Sequence, residues 1–212
     1  GFIVVGFDSD SEVVSNLRSG ISHIEDVSNE KLKLFLDKGN YFATTEPKEI
    51  SDVDVAIIAV PTPLDNNRMP DLSFVESASE TLGKNLGKPA LIINESTSYP
   101  GTLRNVIAPI VSKYSKHENL FAISPERVDP GNAGWTIKNT PRLFAGLSPE
   151  AGKRAADFYG TFCDNIIEVS SPEVAETAKL FENTFRQVNI ALVNELAIIC
   201  NRLGIDAHEV LD

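Results

Sequence analysis

The run Val53-Asp54-Val55-Ala56-Ile57-Ile58-Ala59-Val60, followed at once by Pro61-Thr62-Pro63, decides the fold. A segment apolar at nearly every position, and not merely at alternate ones, belongs to a strand covered on both faces, as in the middle of a parallel sheet. The prolines then forbid helix and further ladder alike, so the chain must leave the sheet at the carboxyl end of that strand. Working outward, β-branched runs near 2–7, 89–94 and 119–123 alternate with helical periodicity near 10–18, 28–38, 72–86, 101–113 and 149–160. Such alternation is the pattern of βαβ units and predicts an α/β, doubly wound parallel sheet.

From residue 171 the pattern changes to one long helix. Ser171 is placed as N-cap, Pro172 at the first helical position, Glu173 in the first turn and Gly204 as the stop. Apolar residues Val174, Ala178, Phe181, Phe185, Val188, Leu192, Leu196, Ile199 and Leu203 follow at intervals of three or four. About 32 residues at about 1.5 Å each make a rod of roughly 48 Å. That is longer than a helix which only covers a sheet, so the stripe is expected to bridge to a second domain or a second subunit. The expected organisation is an α/β domain over 1–170 and the opening of a helical central domain over 171–212. The chain begins without Met on a strand pattern and stops within a further helix pattern, so both ends are expected to be cut.

The 212 residues fit one large domain, or one domain and part of another. A net charge of −11 opposes nucleic acid and anionic membrane surfaces, so neither is expected as a partner, and an anionic ligand needs a local cationic device. No apolar run approaches the roughly 20 residues of a membrane span. Cys163 and Cys200, without any CxxC, exclude a disulfide framework and a zinc ribbon and fit a cytoplasmic protein. Both lie in apolar surroundings and read as buried, inert thiols. His23, His117 and His208 have no metal-ligand spacing, and no metal is expected.

Three loops follow expected strands: residues 61–65, residues 95–102 and residues 124–131. All belong to the sheet edge where open α/β folds bind ligands. Thr62 and Thr97 offer hydroxyls to a ligand there, against the plainer reading as ST-turns or caps. Pro100-Gly101 opens a helix whose free N–H groups are expected to attract anions. Asp8 closes the first strand, where a dinucleotide-binding fold sets an acid against the adenosine ribose, and reads equally well as a helix cap. Lys179, Asn183 and Arg186 form a polar stripe at i, i+4 and i+7 on the long helix. Such a stripe is usually solvated; beginning two turns into a helix that leaves the sheet, it is here expected to face the same edge as Glu126 and Arg127.

Taken in order, Val60-Pro61-Thr62-Pro63-Leu64-Asp65, Asn94-Glu95-Ser96-Thr97-Ser98-Tyr99-Pro100-Gly101, Ser124-Pro125-Glu126-Arg127-Val128-Asp129-Pro130-Gly131-Asn132 and Glu182-Asn183-Thr184-Phe185-Arg186-Gln187-Val188-Asn189 resemble the UDP-glucose/GDP-mannose dehydrogenase family of nucleotide-sugar 6-dehydrogenases. The third motif looks most like members acting on UDP-N-acetylglucosamine or UDP-N-acetylmannosamine. The resemblance implies a Rossmann-like fold, NAD as cofactor, and two-step oxidation of the C6 alcohol of a UDP-N-acetylhexosamine to a uronic acid, through an aldehyde and a cysteine thioester. It implies cofactor binding by Asp8, Thr62 and Thr97, and substrate binding by Arg127, Val128, Asn183 and Arg186. Lys179, Glu126 and Asn183 are implied as catalytic: a cation steadies a forming oxyanion, and a carboxylate positions water. Homodimerisation through the helix over 172–203 is implied as well.

The family's Gly-rich first turn and its catalytic Cys are both missing from this sequence, so the chain alone is expected to be inactive. Its sheet is expected to lack the first strand of the order 3-2-1-4-5-6, leaving a gap that either closes up or costs stability. Two other readings stand beside this one: a non-catalytic dimerisation or binding module, and a β-hydroxyacid dehydrogenase of the 6-phosphogluconate type.

Overall fold

The computed structural model describes residues 1–24, 26–127 and 134–212. Strand β1 (Val4–Phe7) leads through helices α1 (Ser11–Arg18) and α2 (Asn29–Asp37) to β2 (Tyr41–Thr44), which pairs with β1 in parallel. A 3₁₀ turn at Pro47–Ile50 enters β3 (Val55–Ile58), followed by α3 (Ser73–Asn85) and β4 (Leu91–Asn94). A π turn at Leu103–Ile107 runs into α4 (Ala108–Tyr114), and then come β5 (Leu120–Ile123), β6 (Arg142–Gly146), α5 (Pro149–Tyr159) and β7 (Ile166–Glu168). Helix α6 (Pro172–Leu203) and the short α7 (Ala207–Leu211) complete the chain. The larger sheet has the order β3-β4-β5-β6-β7.

Strand β4 shows why the sheet is wound on both sides. Ile92 faces α3 and the π turn, where it packs with Val75, Leu82, Leu103, Ile107 and Val111; Leu91 and Ile93 face α5 and pack with Ala151, Ala155 and Tyr159. All three are 0% exposed. Side chains alternate across a strand, so an unbroken apolar run needs a cover on each face, and each such residue contributes about 1.5–3 kcal/mol on burial.

Two departures from the expected pattern have local causes. Strand β6 runs antiparallel to β5, so the sheet is parallel-dominated and not wholly parallel. The helix expected over 101–113 is widened at its start into the π turn, just ahead of Pro109, whose missing N–H and ring disfavour a regular α turn there. Strands β2 and β6 escape a pattern search because Tyr41-Phe42-Ala43-Thr44 and Arg142-Leu143-Phe144-Ala145-Gly146 lack runs of Val and Ile.

The gap beside the central strands stays open. β1 pairs with β2 and β3 with β4, leaving two separate sheets. They share a core all the same: Val5 and Phe7 pack against the cluster containing Ala56 and Ile58, and the Phe2 ring lies 5.4 Å from Phe158 on α5. Val4 and Ile57 remain 47% and 44% exposed, far from the full burial of β4.

Helix α6 spans 32 residues, starts at Pro172 after Ser171 and ends on Gly204 at φ 70°, the left-handed conformation that a helix stop favours. Ser171 holds the cap position, but its side chain accepts no bond from the helix N–H groups. The first turn is tied to the sheet domain by Arg104, which donates from Nε to Glu173 Oε1 at 2.7 Å and from Nη2 to Oε2 at 3.4 Å. Farther out the stripe is uncovered, with Phe181, Phe185, Val188, Leu192 and Leu203 all at least 60% exposed. No helix among the described residues is long and apolar enough to cross a membrane.

A two-stranded sheet is marginal by itself, so β1 and β2 should open without global unfolding. In native-state hydrogen exchange their amides should be protected at least about tenfold less than those of Leu91, Ile92 and Ile93; equal protection would show that the two sheets unfold as one. The Arg104 guanidinium, helped by a backbone N–H, holds the Glu173 carboxyl down at about 2 from its ordinary 4.5. A depressed carboxyl contributes stability above its ordinary value, and that contribution is lost as pH falls through the folded value. Arg104 is half exposed, so the effect is modest. Glu173→Gln should melt slightly below the parent at neutral pH, with the difference closing as pH falls from about 4.5 toward 2; a difference indifferent to pH would rule the ion pair out as its source.

Candidate functional site

Strands β3, β4 and β5 end in register, Ile58 beside Asn94 and Asn94 beside Ile123, so the loops that follow them leave at one edge. Ser96 staples the first two loops together. Its hydroxyl accepts from Val60 N–H at 2.8 Å and lies 2.8 Å from Val60 O. Thr62 and Thr97 lie two residues beyond Val60 and one beyond Ser96, each close in sequence to this staple. Both are half-buried, and neither hydroxyl bonds to another described residue.

Beneath the second and third loops lies a charged cluster. Arg142, 5% exposed, forms an ion pair with Glu95, donates from Nε to Ser124 Oγ at 2.8 Å and stacks its guanidinium 4.3 Å from the Tyr159 ring centre. The Tyr159 hydroxyl donates to Glu95 Oε1 at 2.5 Å; burial first, and the Glu95 charge second, push that phenol well above its ordinary value. Glu126 N–H donates to Glu95 O at 3.4 Å, which fixes the half-buried Glu126 close above this plate.

The first three turns of α6 lie along the same edge. Glu176, 1% exposed, accepts from Gly101 N–H at 2.5 Å and Leu103 N–H at 3.0 Å. Gly101 sits at φ 94°, a conformation side chains rarely adopt. Two turns on, Arg127 donates from Nε to Glu182 Oε2 at 3.0 Å, from Nη2 to Glu182 Oε1, and from Nη1 to Pro141 O at 3.0 Å. Lys179, half-buried, lies between these anchors, and no hydrogen bond or ion pair links it to another described residue.

These contacts sort the expected site residues. Thr62 and Thr97 lie on the two loops that Ser96 joins; Glu126, Arg127 and Lys179 are gathered where α6 meets the loops, with Asn183 and Arg186 exposed on the next turns. Asp8 stands apart at the carboxyl end of β1, across the gap, its Oδ1 accepting from Asp10 N–H at 2.9 Å and its N–H held by Thr44 O. Val128 lies outside the described residues. One expectation is corrected: the N–H groups at Gly101 and Leu103 are not open to an outside anion, because Glu176 of the same chain occupies them. Pattern reading also missed Glu95, Arg142, Tyr159 and Glu182. Glu182 is adjacent to Asn183, and its i+3 spacing from Lys179 was the available signal. Cys163 and Cys200 are buried as expected, and burial pushes the Cys163 thiol up.

The Asp8 carboxylate stands at the end of β1, and the Thr62 and Thr97 hydroxyls, without partners among the described residues, follow β3 and β4. Comparison with known proteins gives the family and the fold. Residues 1–163 match the NAD binding domain of the UDP-glucose/GDP-mannose dehydrogenase family, and residues 173–212 match its central domain. The chain is 38% identical over 213 residues to UDP-N-acetyl-D-glucosamine 6-dehydrogenase of Pseudomonas aeruginosa, covering 98% of this chain and 50% of that protein. Among solved structures, UDP-D-ManNAc dehydrogenase of Pyrococcus horikoshii aligns at TM-score 0.88 and 35% identity, over 99% of this chain and 51% of the other. GDP-mannose dehydrogenase of Pseudomonas aeruginosa, in a ternary complex, aligns at TM-score 0.91 and 26% identity, over 100% and 51%. The chain thus spans about half the length of these relatives. With its Rossmann-like sheet, its long following helix and matches over both parts of the chain, it belongs to the UDP-glucose/GDP-mannose dehydrogenase family, whose cofactor is NAD.

Proposed function

We propose that this chain forms the cofactor-binding part and the start of the central helix of an NAD-dependent 6-dehydrogenase acting on a UDP-N-acetylhexosamine in the cytoplasm. The proposed division is a cofactor domain over 1–170 and a helical domain opening at 171. The observation that carries this reading is Lys179, half-buried and without a counter-charge among the described residues, standing between two carboxylates that tie α6 to the loops after β4 and β5. In a protein of net charge −11, an unpaired cation at the ligand edge of the sheet is a local device for an anion or a forming oxyanion.

The residue roles follow from placement and chemistry. Asp8 accepts from the adenosine ribose, while Thr62 and Thr97 bond the remainder of NAD, which when bound supplies a hydride acceptor. Lys179 steadies negative charge on the C6 oxygen as its proton departs, and Asn183, one turn on, bonds the same oxygen. Glu126, fixed to Glu95 O, is placed to orient water during hydrolysis. Arg127, Val128 and Arg186 contact the nucleotide sugar; Arg127 keeps two of its five N–H donors after its bonds to Glu182 and Pro141. Neither cysteine is accessible to an aldehyde, so binding without formation of the uronic acid is expected of this chain.

The exposed stripe on α6 supports a homodimer through 172–203. An apolar surface of that length, with Val188 60% exposed at its middle, is characteristic of an interface. It would serve the module reading equally; the unpaired Lys179 favours the enzyme.

Calorimetric titration of the chain with UDP-N-acetylglucosamine or UDP-N-acetylmannosamine should show binding that Lys179→Met weakens about tenfold, the scale of one charge-assisted contact of about 1.4 kcal/mol. Unchanged affinity in the variant would refute the assignment, and preference for a hydroxyacid would favour the 6-phosphogluconate type. Val188→Glu should convert a dimer to monomer in light scattering; a variant that stays dimeric would exclude that face.

A further inference from the structure

Glu176 is an unusual buried group among the described residues. A carboxylate 1% exposed, to which no cation is matched by an ion pair among the described residues, is held by two backbone N–H groups from a different element. Burial, its largest influence, pushes its pKa up, while the two N–H bonds act the other way and favour the charged form. A group costly to bury persists only where the fold needs what it fixes.

What it fixes is the rotation of α6. Successive residues on an α-helix turn by about 100°, so positions three and seven later share a face. Lys179 and Asn183 stand three and seven residues after Glu176. Plugging Glu176 into the N–H groups of Gly101 and Leu103 therefore turns the face bearing Lys179 and Asn183 toward the loop that carries Thr97. Glu173, the other acid of the first turns, is paired on the outside with half-exposed Arg104 and is screened by solvent. Of these two acids, Glu176 alone combines burial with directional bonds, and Glu182 adds a second, half-buried tie to Arg127 farther along. Gly101 completes the joint, since its positive φ presents the N–H to the carboxylate.

We infer that Glu176 is the positioning residue for Lys179: the chain's own carboxylate takes the place of a ligand anion at Gly101 and Leu103, and so aims the lysine at the substrate edge. This rests on the proposed role of Lys179. It predicts coupling of Glu176 to Lys179 in ligand binding, beyond any effect on stability.

The test is a double-mutant cycle on the whole chain, with UDP-N-acetylglucosamine as the calorimetric probe and circular dichroism as the check on folding. Glu176→Gln, Lys179→Met and the double variant should each bind about tenfold more weakly than the parent, the double no worse than Lys179→Met alone. Losses that multiply to about a hundredfold in the double variant would overturn the inference. If Glu176→Gln does not fold, Glu176→Asp, which keeps the charge but is too short to reach both N–H groups, enters the same cycle. Failure of the functional reading looks different: the parent does not bind the sugar nucleotide, or Lys179→Met binds as well as the parent. In that case the ¹³Cε resonance of Lys179 still decides, because a lysine held by the Glu176 joint should shift toward the free-lysine position in Glu176→Gln. A resonance that stays put overturns the inference.

Discussion

Complete burial of strand β4 is the constraint on which the rest of the molecule depends. Leu91, Ile92, Ile93 and Asn94 are all 0% exposed, so both faces of that strand must be covered, one by α3 and the π turn, the other by α5. Covering both faces puts the crossovers on opposite sides and sends every loop after β3, β4 and β5 to one edge. Asn94, too polar to bury unpaired, turns this constraint into part of the site. It donates to Ser96 O at 3.2 Å and accepts from Ser96 N–H at 3.2 Å, shaping the loop that carries Thr97.

Carboxylates do the joining that apolar contacts do elsewhere. Glu95 ties the second loop to Arg142 and Tyr159, Glu176 ties α6 to the loop after β4, and Glu182 ties α6 to the loop after β5. Each bond is directional, so an element is fixed in rotation as well as position, which greasy packing of a single helix face does less well. The arrangement also neutralises Arg127 and Arg142 locally and leaves Lys179 as a cation without a protein partner among the described residues. A chain rich in acid thereby keeps a positive point where an anionic sugar nucleotide is proposed to lie.

Much of this was legible in the sequence because it follows from short-range patterns. The run over 53–60 marked a strand, though β3 stands at the edge of its sheet with Ile57 44% exposed and not covered on both faces; the prolines marked its end, and the three-four spacing from Val174 to Leu203 marked the long helix with its stop at Gly204. A gap between β1 and β3 was legible too, from strand order, but that it stays open was not. Strands β2 and β6 were not, since each is a few residues long without a β-branched run. The antiparallel turn of β6 depends on how the chain returns after residues 124–141. The anion-attracting helix start at Gly101 was misread because its occupant lies some 75 residues later in the chain.

The sequence by itself determined the α/β class, the long helix, the family resemblance and the stripe of Lys179, Asn183 and Arg186, because periodicity and turn chemistry act between residues a few positions apart. Only the tertiary structure decided which charges are spent and which are left. Glu95 with Arg142, Arg127 with Glu182, and Glu176 with Gly101 and Leu103 are pairs distant in sequence, and a buried charge is satisfied by whatever the fold brings within about 3 Å of it.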